Sequence, residues 1–142
     1  MASLTTFAAA VGAGVTAVRR RGGPPASLPT RDLALVSVAV FRASRLMTEA
    51  SVTSPLRAPF TRYAGPSDPG EVAEEVRAPD GGHRHAVGEL VSCPYCIGTW
   101  LATGLGFGLV LAPAWTRLAA SILTIQAGAD VLQKLYSDLQ AR

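Results

Sequence analysis

Apolar residues gather in runs separated by polar, proline-bearing chain. Residues 33–41 are apolar on every face, and Arg42 and Arg45 then interrupt before Leu46 and Met47. The longest run opens at Pro94 and stops at Pro113. Another covers residues 118–125, after which Gln126, Asp130, Gln133 and Ser137 recur at helical spacing as a polar stripe. The pattern predicts helices at about 31–48, 94–112 and 114–139. The middle one, at 1.5 Å per residue, reaches roughly 28 Å, enough to cross a bilayer. The valines of the first run do not argue for a strand, because an isolated strand in lipid leaves its backbone unpaired. The expected fold is all-α: an integral membrane, three-helix bundle with a proline-rich polar loop between the first two helices.

Residues 4–18 are apolar but rich in Ala and Gly, which add little insertion energy; they read as interfacial or disordered. Arg19, Arg20 and Arg21 follow, the reverse of the charge order of a secretory signal. Gly22-Gly23-Pro24-Pro25 and Pro29 make a basic linker. The chain thus divides into an N-terminal segment and linker, 1–30, and a helical membrane domain, 31–142. Thr30 reads as an N-cap and Asp32 as a first-turn acid. Between residues 48 and 90, Pro55, Pro59, Pro66, Pro69 and Pro79 preclude a long helix. Residues 55–63 mix Arg with Leu, Phe and Tyr and suit a headgroup surface. Residues 68–77 read as a short acidic helix, and residues 80–82 as a turn.

Composition strengthens the membrane reading. Hydrophobic residues make up 49% and charged residues 16%, against about 25% charged in soluble domains. Aromatics are only 6%, which argues against a base-stacking nucleic-acid surface. The net charge of +3 comes almost wholly from Arg beside apolar runs, suiting anionic lipid headgroups. The expected partners are the lipid bilayer and a homo-oligomer or another membrane protein, with no nucleic acid.

Within the predicted helices, Arg42 lies about 15 Å beyond Asp32 along the axis. With Asp32 at one membrane surface it sits near mid-membrane, where an arginine must pair, reach water or snorkel; in a tilted or partly inserted helix, Arg42 and Arg45 instead lie at the headgroups. Arg42, Arg45 and Asp130 are the intramembrane polar candidates, with Asp130 the candidate partner of Arg42. Gly98, Ala102, Gly104 and Gly108 are candidates for close helix packing, the last two as a GxxxG.

Both cysteines fall in Ser92-Cys93-Pro94-Tyr95-Cys96-Ile97-Gly98-Thr99-Trp100. Together with Phe41-Arg42-Ala43-Ser44-Arg45-Leu46-Met47-Thr48, Pro55-Leu56-Arg57 and Gly88-Glu89-Leu90-Val91, this block resembles the DUF1360 family of small bacterial membrane proteins. The resemblance covers roughly residues 32–132. It implies a three-helix membrane domain of unknown function, multi-pass in the bacterial plasma membrane.

The cysteines admit three readings. In the first they are structural and close the start of a membrane helix. In the second they bind zinc, as Cys93 and Cys96 with His83 and His85 or as Cys₄ between protomers; the cofactor is then zinc, and otherwise none. In the third they exchange disulfides, since Cys-Pro-Tyr-Cys matches a glutaredoxin motif and a helix N-terminus lowers a thiol pKa, although the chain lacks the βαβ unit that usually carries it. Arginine placement conflicts on topology. Arg19, Arg20, Arg21 and Arg31 draw one end of the first helix inward; Arg42, Arg45, Arg57 and Arg62 draw the other. The second group favours a cytoplasmic cysteine loop. The sequence bears no P-loop, nucleotide fingerprint or Ser/His/Asp set, so it reads as a non-enzymatic accessory, scaffold or partner-binding subunit. The alternatives are a membrane thiol-disulfide oxidoreductase and a small transport path lined by Arg42, Gln126 and Asp130.

Overall fold

The computed structural model describes residues 2–77 and 82–141. Its elements run α1 (Ala2–Arg20), α2 (Thr30–Thr48), a 3₁₀ turn (Ser51–Thr53), α3 (Ser54–Arg57), β1 (Thr61–Pro66), β2 (Val72–Val76), α4 (His83–Ser92), α5 (Pro94–Leu111) and α6 (Pro113–Gln140). The expected all-α, three-helix integral membrane bundle is therefore corrected. The described residues form six α-helices and a two-stranded sheet. Among them only α5 is long and apolar enough to cross a membrane. The physical reason lies in the charges. Arg31, Asp32, Arg42 and Arg45 punctuate α2, and Arg117, Asp130, Lys134 and Asp138 punctuate α6, whereas α5 carries none.

Two X-Pro junctions set the ends of α5. The residue before a proline is pushed out of the helical region, while proline itself suits the first helical turn. Cys93, before Pro94, is extended at φ −112°, ψ 107°, which separates α4 from α5. Ala112, before Pro113, sits at φ −147°, ψ 62°, which separates α5 from α6.

α1 is a packed helix rather than a tail. Phe7 meets the Trp100 ring edge-on at 5.0 Å between centroids. One heptad later, a Cβ on Gly14 would run into the Phe107 ring, which seats against the bare glycine backbone. These paired contacts show α1 and α5 running in the same direction. Arg19 and Arg20 fall in the last turn of α1, complementing its dipole. Gly22 and Gly23 then take left-handed φ values of 104° and 92°, and the Gly23 amide returns to the Val18 carbonyl.

α2 lies against both α5 and α6. Val36, Ala39, Leu109 and Ala120 form the buried core, with Leu28, Leu35, Val40, Leu105 and Leu123 packed around it. Ala39 and Ala120 are fully buried, and small side chains at these places let helices approach closely. Pro29, not Thr30, occupies the cap position of α2, with no side-chain cap.

The polar segment holds a β-hairpin where an acidic helix was expected over 68–77. Pro69 and Gly70 (φ 83°) occupy the centre of a type II turn closed by the Glu71 amide on the Asp68 carbonyl at 2.8 Å. The strands pair antiparallel, Thr61 with Val76 through Pro66 with Val72, with a bulge between Tyr63 and Gly65. Cross-strand Arg62 and Glu75 form an ion pair at 2.8 Å. Most of the turn expected at 80–82 lies outside the described residues.

Candidate functional site

The dithiol sits at the junction of α4 and α5. Cys93 is the N-cap of α5, and its Sγ accepts from the Cys96 amide at 3.3 Å. Cys93 is half-buried, Cys96 is exposed, and neither is in a disulfide. A hydrogen bond from the Cys96 thiol holds the Cys93 thiol below its ordinary pKa; burial opposes this, and the Cys96 and Tyr95 amides reinforce it. The Cys93 sulfur thus meets the amide of Cys96 at the start of the most apolar helix.

Beside the pair lies a cleft of 300 Å³ between α1, α4 and α5. Leu4, Phe7, Leu90 and Trp100 form its apolar walls, Cys96 lies on its surface, and Glu89 is its charged group. His85, one turn before Glu89 on α4, pairs with it at 3.2 Å. The side chain of His83 lies outside the described residues. Among those described, no three His, Cys, Asp or Glu side chains gather as a metal would require.

The polar candidates fall into separate contacts. Arg42 Nε lies 2.7 Å from Asp130 Oδ2, off line for a hydrogen bond, so the contact is a charge pair. Asp32, which is buried, accepts from Arg117 Nη2 at 2.7 Å and from Nε at 3.1 Å. The Arg117 hydrogen bonds hold the Asp32 carboxyl below its usual value against the effect of burial. With Thr124 donating to the Leu35 carbonyl at 3.2 Å between them, these two pairs bracket α2 and α6, which run in the same direction.

Arg45 turns to the hairpin and not to Arg42. It grips Glu71 through Nη2 at 2.6 Å and Nε at 3.3 Å, and reaches Glu49 at 2.8 Å. Burial pushes the Glu49 carboxyl up; Arg45 opposes this, and Glu71 adds to it.

The centre that sequence reasoning missed is Arg57. Its side chain is 3% exposed and that of its partner Glu74 is 4% exposed. Nε and Nη2 bind Glu74 at 3.0 and 3.1 Å. Nη1 donates to the Met47 carbonyl and Thr53, and Nη2 also to the Ala50 carbonyl. All five guanidinium N–H groups are thereby used. Burial alone would raise the Glu74 carboxyl, but Arg57, Ser54 and Thr61 outweigh it and hold it low. Arg57 had been placed at a headgroup surface. The only sequence signal against that was a glutamate 17 residues on, at a position read as helix.

The small residues meet different surroundings. A Cβ on Gly98 would be in ordinary contact with Val40 and Ser44 of α2, and a Cβ on Gly108 would meet Thr116 at 2.6 Å. Gly104 and Gly106 face open space, and Ala102 is exposed.

No solved structure matches the chain. A similar protein is the sporulation protein YjcA of Bacillus subtilis (strain 168), 30% identical over 106 residues, which are 74% of this chain and 90% of that protein. The family described as a protein of unknown function, DUF1360, matches residues 35–136, a span that contains α5, the dithiol and the Arg57–Glu74 pair and leaves α1 outside it. The chain belongs to the DUF1360 family.

Proposed function

We propose that this protein is a membrane-anchored accessory subunit, held in the bilayer through α5 and acting by contact with a partner. One observation carries the reading: α5 is uncharged and spans 18 residues, yet only 11% of those residues are fully buried within the protein. An apolar helix left so uncovered draws cover from outside its own fold. The distal part of α6 adds support, since Leu132, Leu135, Tyr136 and Leu139 lie at helical spacing and are exposed. The similarity to a sporulation protein fits a role in a cellular assembly.

Gly104→Arg tests the anchor. The position faces open space, so packing within the protein is untouched. A charge at the centre of a membrane helix costs about 2.5–3.5 kcal/mol. The wild type is expected to remain with membranes through high-salt and carbonate washing, and the variant to be released. A wild type recovered in the soluble fraction would contradict the reading.

A second reading, thiol–disulfide exchange at Cys93 and Cys96, is supported by a specific observation: the Cys93 sulfur caps α5 and takes a hydrogen bond from the Cys96 amide at 3.3 Å.

A further inference from the structure

We propose that Cys93, Cys96 and the adjoining cleft form a dithiol–disulfide exchange site that accepts cationic or neutral disulfides in preference to anionic ones. This rests on the thiol-exchange reading and adds its substrate class and the role of each sulfur. The cleft reaches Cys96 from solvent, and among the described residues its lining carries one charge, Glu89, on an exposed side chain. His85 engages that carboxylate from the same helix, on the α4 side. A disulfide entering the cleft passes Glu89 and the apolar walls of Leu4, Phe7 and Trp100. The selectivity runs against the net charge of +3, which by itself attracts anions, so it is a local property of the site.

Cys93 is the attacking thiolate, because the helix-cap amides face its sulfur. It attacks one sulfur of R–S–S–R′, forming Cys93–S–S–R and releasing R′–S⁻. The released thiolate takes the proton of the Cys96 thiol. The Cys96 thiolate then attacks the Cys93 sulfur, releases R–S⁻ and leaves the Cys93–Cys96 disulfide. The substrate gains two electrons and the protein loses two. A dithiol reductant runs the same steps backwards.

The test uses the full chain in neutral detergent at pH 8, with cystamine, 2-hydroxyethyl disulfide and glutathione disulfide as cationic, neutral and anionic probes. Loss of two hydrogens is followed by mass spectrometry. The expected order is cystamine, then the neutral probe, then glutathione disulfide. Glu89→Gln should narrow the cystamine-to-glutathione ratio roughly sevenfold, the Coulomb factor in water for unit charges ~7 Å apart acting with opposite sign on the two probes. Cys96→Ser should stop the reaction at a mixed disulfide on Cys93. If no probe oxidises the pair, the exchange reading and this proposal both fall. If the pair is oxidised but Glu89→Gln leaves the ratio unchanged, exchange stands and the substrate class is overturned. If Cys96→Ser yields no adduct, the assignment of Cys93 as attacker is overturned.

Discussion

Beside the hairpin, Arg57 and Glu74 are almost fully buried, and every guanidinium N–H has an acceptor. Midway along α5, Ala102 and Gly104 face outward with nothing of the protein against Gly104. The hairpin region buries charges and satisfies them internally. The α5 region is uncharged, and few of its residues are fully buried within the protein. The contrast separates two regions: the polar one is a self-sufficient clamp on the end of α2, while the apolar one, on the reading proposed above, is completed by the bilayer.

The largest effect should come from breaking the clamp. Removing one member of a buried ion pair strands the other charge, at a cost of about 3–5 kcal/mol. Arg57→Ala should therefore lower stability by that order in chemical denaturation, and Arg57→Met with Glu74→Leu should recover much of it, because the pair leaves together. A double variant as unstable as the single would mean that Arg57 acts through its carbonyl contacts and not through the pair.

An intermediate effect should distinguish two glycines of α5. Gly108→Ala pushes a methyl into Thr116, and overpacking costs roughly 1–3 kcal/mol. Gly104→Ala meets open space and should be neutral or stabilise by up to about 1 kcal/mol through helix propensity. Thermal unfolding of the two variants in one detergent gives the comparison. Equal shifts would remove the distinction between a packed and an unpacked side of the helix.

The smallest effect is the pH response of the clamp. Glu74 has a lowered carboxyl pKa in the fold. Its stabilisation is complete above the unfolded glutamate value, about 4.3, and is lost as pH falls through the lower folded value. Glu49, raised by burial, has the opposite sign and loses stabilisation as pH rises. Wild-type stability should fall on acidification below about pH 4, and Glu74→Gln should flatten that fall. An unchanged slope would place the acid response elsewhere.

The boundaries of α2, α5 and α6 were legible because long apolar runs and X-Pro junctions mark them directly; each lies within a residue or two of the expected range. The hairpin was not, although Pro69-Gly70 is a turn signal. Two adjacent glutamates, Glu74 and Glu75, suggested an acidic helix, and only the paired strand gives each a basic partner, Arg57 and Arg62. α1 was obscured by its Ala and Gly content, since what holds it is a ring from α5 seated on Gly14. α4 gave no apolar periodicity to read. Of the candidate site, the dithiol and its place at a helix start were visible in Cys93-Pro94. The cleft was not, because α1 supplies one of its walls.

The most direct test of the central claim, that α5 lies in the bilayer, is labelling of a cysteine placed at residue 102. Ala102→Cys, in a chain also carrying Cys93→Ser and Cys96→Ser, puts one thiol on the exposed side of α5. A membrane-impermeant maleimide should leave it unmodified in intact membranes, whichever side is treated, and modify it fully once the protein is unfolded in detergent. Equal modification before and after solubilisation would contradict the account.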